Sequence, residues 1–253
     1  MLRMPGGAPT LVLLHAFPLG AGMWARQREA FPGWRVLAPS FPGFDGVPPA
    51  GEPTVAAFAT HTLRALDEAA VEQAVFCGLS MGGYVAFELW RLAPGRFAGL
   101  VLADTRAGAD APEGRQGRAA MRETLAAEGP SAVADQMLPK LLGAATLEGQ
   151  PAVVARVRAL VLGQTTVGID GGIQALMTRP DSGDTLATVT VPTLVVVGDE
   201  DVLTPPLEAE RLAAGITAAR LVRVPAAGHL TNLEQPDAFN AAVNAFLETM
   251  RPG

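Results

Sequence analysis

Six short apolar runs recur along the chain, at 10–14, 34–38, 74–79, 99–103, 193–197 and 221–224, each bounded by turn-forming residues. Their apolarity is continuous rather than alternating, the pattern of strands covered on both faces in a parallel sheet. Amphipathic helical patterns at 55–70, 83–92, 207–214 and 237–250 lie between them. Strand and helix in alternation predict an α/β fold with a doubly wound, mostly parallel sheet of about six to eight strands.

One interval breaks the alternation. From 106 to 187 no convincing strand pattern occurs, while helix-like pieces cover 119–127, 131–142, 153–162 and 173–177. The expectation is a core domain formed by 1–105 and 188–253, with residues 106–187 inserted as a helical cap over the carboxyl edge of the sheet. A helical subdomain that only enlarges the core is the plainer alternative. Met121, Met137, Leu138, Leu141, Leu142, Leu160 and Met177 recur there at helical spacing, the pattern of an insertion's own core that could also line an apolar pocket. Trp24 is a further pocket candidate, close behind the loop after the first strand.

The third apolar run ends in Gly78-Leu79-Ser80-Met81-Gly82-Gly83, and a helical pattern follows. Strand, tight turn and helix with Ser at the apex, and Gly two positions to either side, match the G-x-S-x-G nucleophile elbow. The turn lifts the Ser80 hydroxyl above the sheet and aims the N-terminal N–H groups of the next helix at the same spot. The alternative is a glycine-rich turn with a capping serine.

A serine nucleophile needs a base, because its hydroxyl barely ionises at neutral pH. The sequence holds His15, His61 and His229 only. His61 falls inside a helical pattern, and His15 ends the first strand. His229 sits in Ala226-Ala227-Gly228-His229-Leu230, between the last strand and the last helix, where Gly228 frees the loop to turn the ring inward. The base in turn needs a carboxylate to fix its tautomer. Asp199 and Asp201 follow the fifth strand and Asp104 ends the fourth; spacing leaves the three open. For the oxyanion, the residue after the nucleophile supplies the Met81 N–H. The loop His15-Ala16-Phe17-Pro18 supplies a second donor, Phe17, since Pro18 has no N–H. His15 is then read as bracing that loop.

Composition narrows the classes. The chain has 253 residues, 49% of them hydrophobic, and a net charge of −6, so a sizeable core is expected and disorder is not. No basic stripe appears, which argues against nucleic acid and anionic membranes as partners. Cys77, the single cysteine, lies within a strand pattern and reads as a small buried hydrophobe. No secretory signal and no run of about 18 apolar residues is evident, so a cytoplasmic protein is expected. No His/Cys/Asp cluster has metal-ligand spacing, and no cofactor is expected.

The chain resembles the α/β-hydrolase superfamily. The order Ser80, acid, His229 is that superfamily's, and Leu13-Leu14-His15-Ala16-Phe17-Pro18 is similar to its His-Gly oxyanion segment, with Ala16 in place of Gly. The resemblance selects Asp201, because the family acid lies in a Gly-x-x-Asp pattern. Leu79-Ser80-Met81-Gly82-Gly83 together with His229-Leu230-Thr231-Asn232-Leu233-Glu234-Gln235-Pro236 looks most like 3-oxoadipate enol-lactonases and related small carboxylesterases. It implies a Ser80–His229–Asp201 serine hydrolase that cleaves small carboxylic esters or lactones through an acyl-enzyme, with Phe17 and Met81 as oxyanion donors. An enol-lactonase would also need basic groups for a carboxylate, for which Arg106, Arg115, Arg118 and Arg122 are candidates. With nine residues before the first core strand, the β-hairpin usual there in the family is not expected, which implies six strands rather than eight or a start of the chain that lies upstream of Met1. Ser at the elbow excludes the branches that use Asp there. Perhydrolase or cofactor-free haloperoxidase-type chemistry, carbon–carbon bond or amide hydrolysis, and a ligand receptor on the same fold are the alternatives.

Overall fold

The computed structural model describes residues 8–217 and 219–250. Residues 1–7, most of the segment on which the expectation about the N-terminal hairpin rests, lie outside the described residues. Six strands, β1 (Thr10–Leu14), β2 (Arg35–Leu37), β3 (Ala74–Leu79), β4 (Phe97–Ala103), β5 (Thr193–Gly198) and β6 (Arg220–Val224), form one sheet in the order β2-β1-β3-β4-β5-β6. Every neighbouring pair is parallel. All residues of β1, β3 and β5 are buried, whereas the edge strands β2 and β6 are partly exposed. The burial agrees with the continuous apolarity of the central strands and the weaker pattern at the edges.

Helices α1 (Val55–Glu68) and α2 (Met81–Leu92) follow β2 and β3. Thr54 caps α1, its side chain accepting the Ala57 N–H at 3.0 Å. The interval between β4 and β5 is helical: α3 (Pro112–Glu128), α4 (Pro130–Leu141), α5 (Ala144–Gly149), α6 (Pro151–Leu162), α7 (Thr166–Thr178) and α8 (Gly183–Leu186). A prolyl residue opens α3, α4 and α6, where its missing N–H costs nothing. Then α9 (Pro206–Gly215) precedes β6, and α10 (Thr231–Glu234) and α11 (Pro236–Glu248) end the described chain.

Strand order decides where a site can form. The chain leaves β1 toward β2 on one side and returns as β3 on the other, so the carboxyl ends of β1 and β3 flank a topological switch point, where α/β sheets bind their ligands. The helical interval is tied to that end. Gln164, between α6 and α7, donates to the Leu19 carbonyl at 3.1 Å and accepts the Asp45 N–H at 2.9 Å.

Candidate active site

Ser80 joins β3 to α2 with φ 53° and ψ −112°, a strained conformation for a residue with a side chain. Its surroundings hold it there. The Ser80 N–H donates to the Ala103 carbonyl at 2.9 Å, and its carbonyl accepts Thr105 Oγ1 at 2.9 Å. Both flanking glycines are required by space: a Cβ on Gly78 would lie 2.3 Å from the Gly82 carbonyl oxygen, and one on Gly82 would lie 2.1 Å from that of Leu14.

The loop after β6 carries the ring of His229 to Ser80, with Nε2 2.7 Å from Ser80 Oγ. On the other side Nδ1 is 2.8 Å from Asp201 Oδ2. A carboxylate can only accept, so Nδ1 carries the proton and Nε2 is left to accept the Ser80 hydroxyl. The turn after β5 fixes Asp201 in its own right. Its Oδ1 accepts the N–H groups of Leu203 and Thr204 at 2.8 and 2.9 Å, and its Oδ2 accepts Thr204 Oγ1 at 2.7 Å.

Electrostatics follow from this packing. Burial of the His229 ring disfavours its charged form, but the charge and hydrogen bond of Asp201, with the charges of Asp104 and Glu234 beyond, outweigh it and raise its pKa. Burial likewise works against the Asp201 carboxylate, yet the facing His229 and the Thr204 donors hold it below its ordinary range.

The two other acids left open by spacing do not meet His229. Asp199 pairs at the surface with Arg223 at 2.6 Å. Asp104 is buried and accepts Gly198 N–H at 3.0 Å and Thr231 Oγ1 at 2.6 Å. Burial, and after it the charge of Asp201, push the Asp104 carboxyl well above the ordinary range.

Phe17 follows β1 and Met81 opens α2. Among the described residues no protein acceptor takes either backbone N–H. His15 accepts the Phe41 N–H at Nε2, 3.1 Å, and therefore donates from Nδ1 to the Ala16 carbonyl at 3.1 Å. Burial lowers its pKa to about 4, so it is neutral and ties the loop holding Phe17 to the chain at Phe41. His61 sits part-buried on α1, away from this cluster.

Ser80 and His229 open into a cavity of about 340 Å³. Phe17, Tyr84 and Leu203 line it from the sheet side, and Met121, Met137, Leu141 and Leu176 from α3, α4 and α7. Of the apolar candidates in the insertion, Met121, Met137 and Leu141 therefore reach the cavity, whereas Leu138, Leu142, Leu160 and Met177 are not among its lining residues. Trp24 is corrected to core: it is fully buried, packs 6.0 Å from the Phe239 ring and does not line the cavity.

Charged groups line the same space: Arg106, Arg118 and Lys140 against Asp110. Asp110 is buried and receives Arg106 at 2.6 Å, Arg179 at 2.9 Å and Arg118. These guanidinium groups, Arg179 and Arg118 foremost, offset burial and lower its pKa to about 2. Arg115 turns to the Asp110 carbonyl at 2.9 Å, and Arg122 pairs with Asp170 at 2.6 Å; neither lines the cavity. Among the described residues no group of three or more His, Cys, Asp or Glu is arranged to hold a metal ion.

Residues 11–242 match the Alpha/beta hydrolase family. The chain belongs to that family. The 3-oxoadipate enol-lactonase 2 of Acinetobacter baylyi is 26% identical over 242 residues, across 95% of this chain and 89% of the relative. Among solved structures, a malate-bound thermophilic esterase from Thermogutta terrifontis superposes with a TM-score of 0.93 at 36% identity, covering 98% of this chain and 92% of that one. The enol-lactonase from Burkholderia xenovorans LB400 superposes with a TM-score of 0.88 at 31% identity, covering 97% and 94%. The fold is thus the α/β-hydrolase fold, and the resemblance to enol-lactonases and esterases extends over nearly the whole chain.

Sequence reasoning did not single out Thr204, whose hydroxyl lies 2.7 Å from Asp201 and 3.3 Å from His229 Nδ1. The signal was present in Asp201-Val202-Leu203-Thr204, an acid followed three residues later by a hydroxyl, the spacing of a turn closed by side-chain hydrogen bonds. It also passed over Asp110 and Arg179, which lie 69 residues apart (179 − 110) and meet only in three dimensions.

Proposed function

We propose that the protein is a serine hydrolase that cleaves carboxylic esters or lactones through an acyl-enzyme, with residues 106–187 acting as the cap over its cavity. The observation that carries this reading is the unbroken line from Asp201 to His229 to Ser80 at 2.8 and 2.7 Å. Esterase and enol-lactonase relatives support it.

In this mechanism Ser80 Oγ attacks the substrate carbonyl while its proton passes to His229 Nε2. The oxyanion forms beside the N–H groups of Phe17 and Met81, each such donor worth roughly 3–4 kcal/mol in the transition state. Collapse of the tetrahedral intermediate expels the alkoxide, which takes the proton from His229. In a lactone the alkoxide stays attached to the acyl chain. Water then attacks the acyl-enzyme as His229 accepts its proton, and breakdown releases the acid and returns the proton to Ser80.

The cavity lining favours an anionic substrate. Arg106, Arg118 and Lys140 face it with Asp110 as the opposing carboxylate, in a chain whose net charge is −6. The test is hydrolysis of ethyl hexanoate and monoethyl adipate, followed by titration of released acid, for wild type and Ser80→Ala. Sustained turnover of either ester that is lost in Ser80→Ala is expected, with the carboxylate-bearing ester favoured about tenfold in kcat/KM, the worth of one charged hydrogen bond. Equal rates would remove the charge preference; no turnover of either ester by folded wild type would contradict ester hydrolysis itself.

A further inference from the structure

Glu234 is a buried carboxylate, 2% exposed, with no cationic partner among the described residues. It spends its acceptor capacity on backbone N–H groups from two distant parts of the chain. Oε1 accepts Gly228 N–H at 2.9 Å and Leu230 N–H at 3.1 Å, the residues on either side of His229. Oε2 accepts the Gly143 N–H at 2.7 Å, from the corner between α4 and α5. The contact is reinforced from the other direction, where the His229 N–H donates to the Leu141 carbonyl at 3.1 Å. The two segments touch so closely that a Cβ on Gly143 would lie 2.9 Å from Gly228 N, and the Glu200 side chain, from the turn after β5, crowds the same spot.

Charge-assisted bonds from a carboxylate to backbone N–H groups are among the stronger hydrogen bonds in proteins, and here they bracket the catalytic base. We propose that Glu234 is a positioning residue that fastens the His229 loop to the Leu141–Gly143 corner of the helical insertion, so that the insertion helps set where Nε2 stands over Ser80. The proposal rests on the serine hydrolase reading above. Glu234 touches neither the cavity nor the reacting atoms and acts through His229 alone. The other groups facing the ring are Asp201 and Thr204 at Nδ1 and Ser80 at Nε2, with the charge of Asp104 farther off. Displacement of a catalytic group by about 1 Å costs on the order of 100-fold in rate.

The test compares wild type, Glu234→Gln and Gly143→Ala. A glutamine can still accept Gly228 and Leu230 through its oxygen, but it turns an amide donor toward the Gly143 N–H and breaks that link. An alanine at 143 pushes the same corner away from the opposite side, which keeps the question answerable should Glu234→Gln fail to fold. Measured are kcat and KM for ester hydrolysis, the melting temperature, and the low-field NMR resonance of the His229 Nδ1 proton. Each folded variant should lose at least about tenfold in kcat with KM within about twofold, and its low-field resonance should shift or broaden. A double variant should lose less than the product of the two, because both break one contact. Unchanged kcat and resonance in a folded variant would overturn the proposal, as would a loss confined to KM or to melting temperature. The resonance is read without turnover. If wild type hydrolyses nothing, the functional reading fails on that result, while the resonance still decides whether Glu234 positions the ring.

Discussion

Asp201 determines what His229 can do. It fixes the proton on Nδ1 and raises the ring's pKa against burial. Only the neutral ring can accept the Ser80 proton, so kcat/KM should rise with pH through the His229 pKa, with an acid limb above the ordinary imidazole value of about 6.5. The raised pKa has the opposite sign for stability: its contribution is complete below the unfolded imidazole value and is lost as pH rises through the folded value. Across that window activity should increase while the contribution of this group to stability declines. Replacement of Asp201 by Asn removes the charge and permits the wrong tautomer. The pH–rate profile of Asp201→Asn should show kcat lower by about 10⁴-fold, the size of loss known for such a change in a serine protease, with the acid limb moved to lower pH. An unmoved limb would contradict the assigned pairing. At this scale the sequence was informative where local chain geometry decides. Ser80, His229 and Asp201 each stand just beyond a strand end, and strands were readable. Spacing could not choose Asp201 over Asp104, because that choice depends on side-chain direction at adjacent strand ends. Asp104 turns instead to Gly198 and Thr231.

Among elements, the buried strands and the amphipathic helices α1, α9 and α11 were legible from periodicity to within a few residues. The insertion was less so. Its first helix begins at Pro112, seven residues before the readable pattern, because those turns carry Gly114, Gly117 and arginines in place of apolar residues. The start of α7 was hidden by Gly168, Gly171 and Gly172, poor helix formers by propensity. Packing explains two of them: a Cβ on Gly168 would lie 2.0 Å from the Gly43 carbonyl oxygen, and one on Gly172 would lie 2.8 Å from the Phe17 ring. The helix gives up propensity to press against the loops after β1 and β2. The insertion is held at its base by Asp110, buried beside the side chains of Arg106, Arg118 and Arg179. Asp110→Asn would leave those guanidinium groups without a counter-charge, and urea unfolding at pH 7 should show a loss of about 2 kcal/mol or more. The folded-state pKa of Asp110 is lowered to about 2, so its stabilisation is present above the unfolded carboxyl value and is lost as pH falls through about 2. The wild-type and Asp110→Asn stabilities should therefore converge at that acid limit, and an unchanged urea midpoint at pH 7 would contradict the role given to Asp110.

For the molecule as a whole, the sheet order β2-β1-β3-β4-β5-β6 places the switch point between β1 and β3, and the chain uses both of its loops, one for Phe17 and the other for Ser80. Alternation of strand and helix could be read from sequence, as could parallel pairing. The order of strands could not be read from periodicity, because nothing in a strand's own residues names its neighbour. Nor could spacing say which basic groups reach the cavity: of the four arginine candidates Arg106 and Arg118 line it, joined by Lys140, brought there by the loop after β4 and by α3 and α4, whereas Arg115 and Arg122 do not. No single helix among the described residues is long and apolar enough to cross a membrane, though the bent pair α6 and α7 together has the length and composition. The central claim, that Ser80 is a nucleophile activated by His229, can be tested without knowledge of the natural substrate. Intact-mass spectrometry after treatment with diethyl p-nitrophenyl phosphate, followed by peptide mapping, should reveal one diethylphosphoryl group on Ser80. Ser80→Ala should remain unmodified and His229→Ala should react far more slowly. Wild-type protein that stays unlabelled, or that carries the label on another residue, would contradict the account.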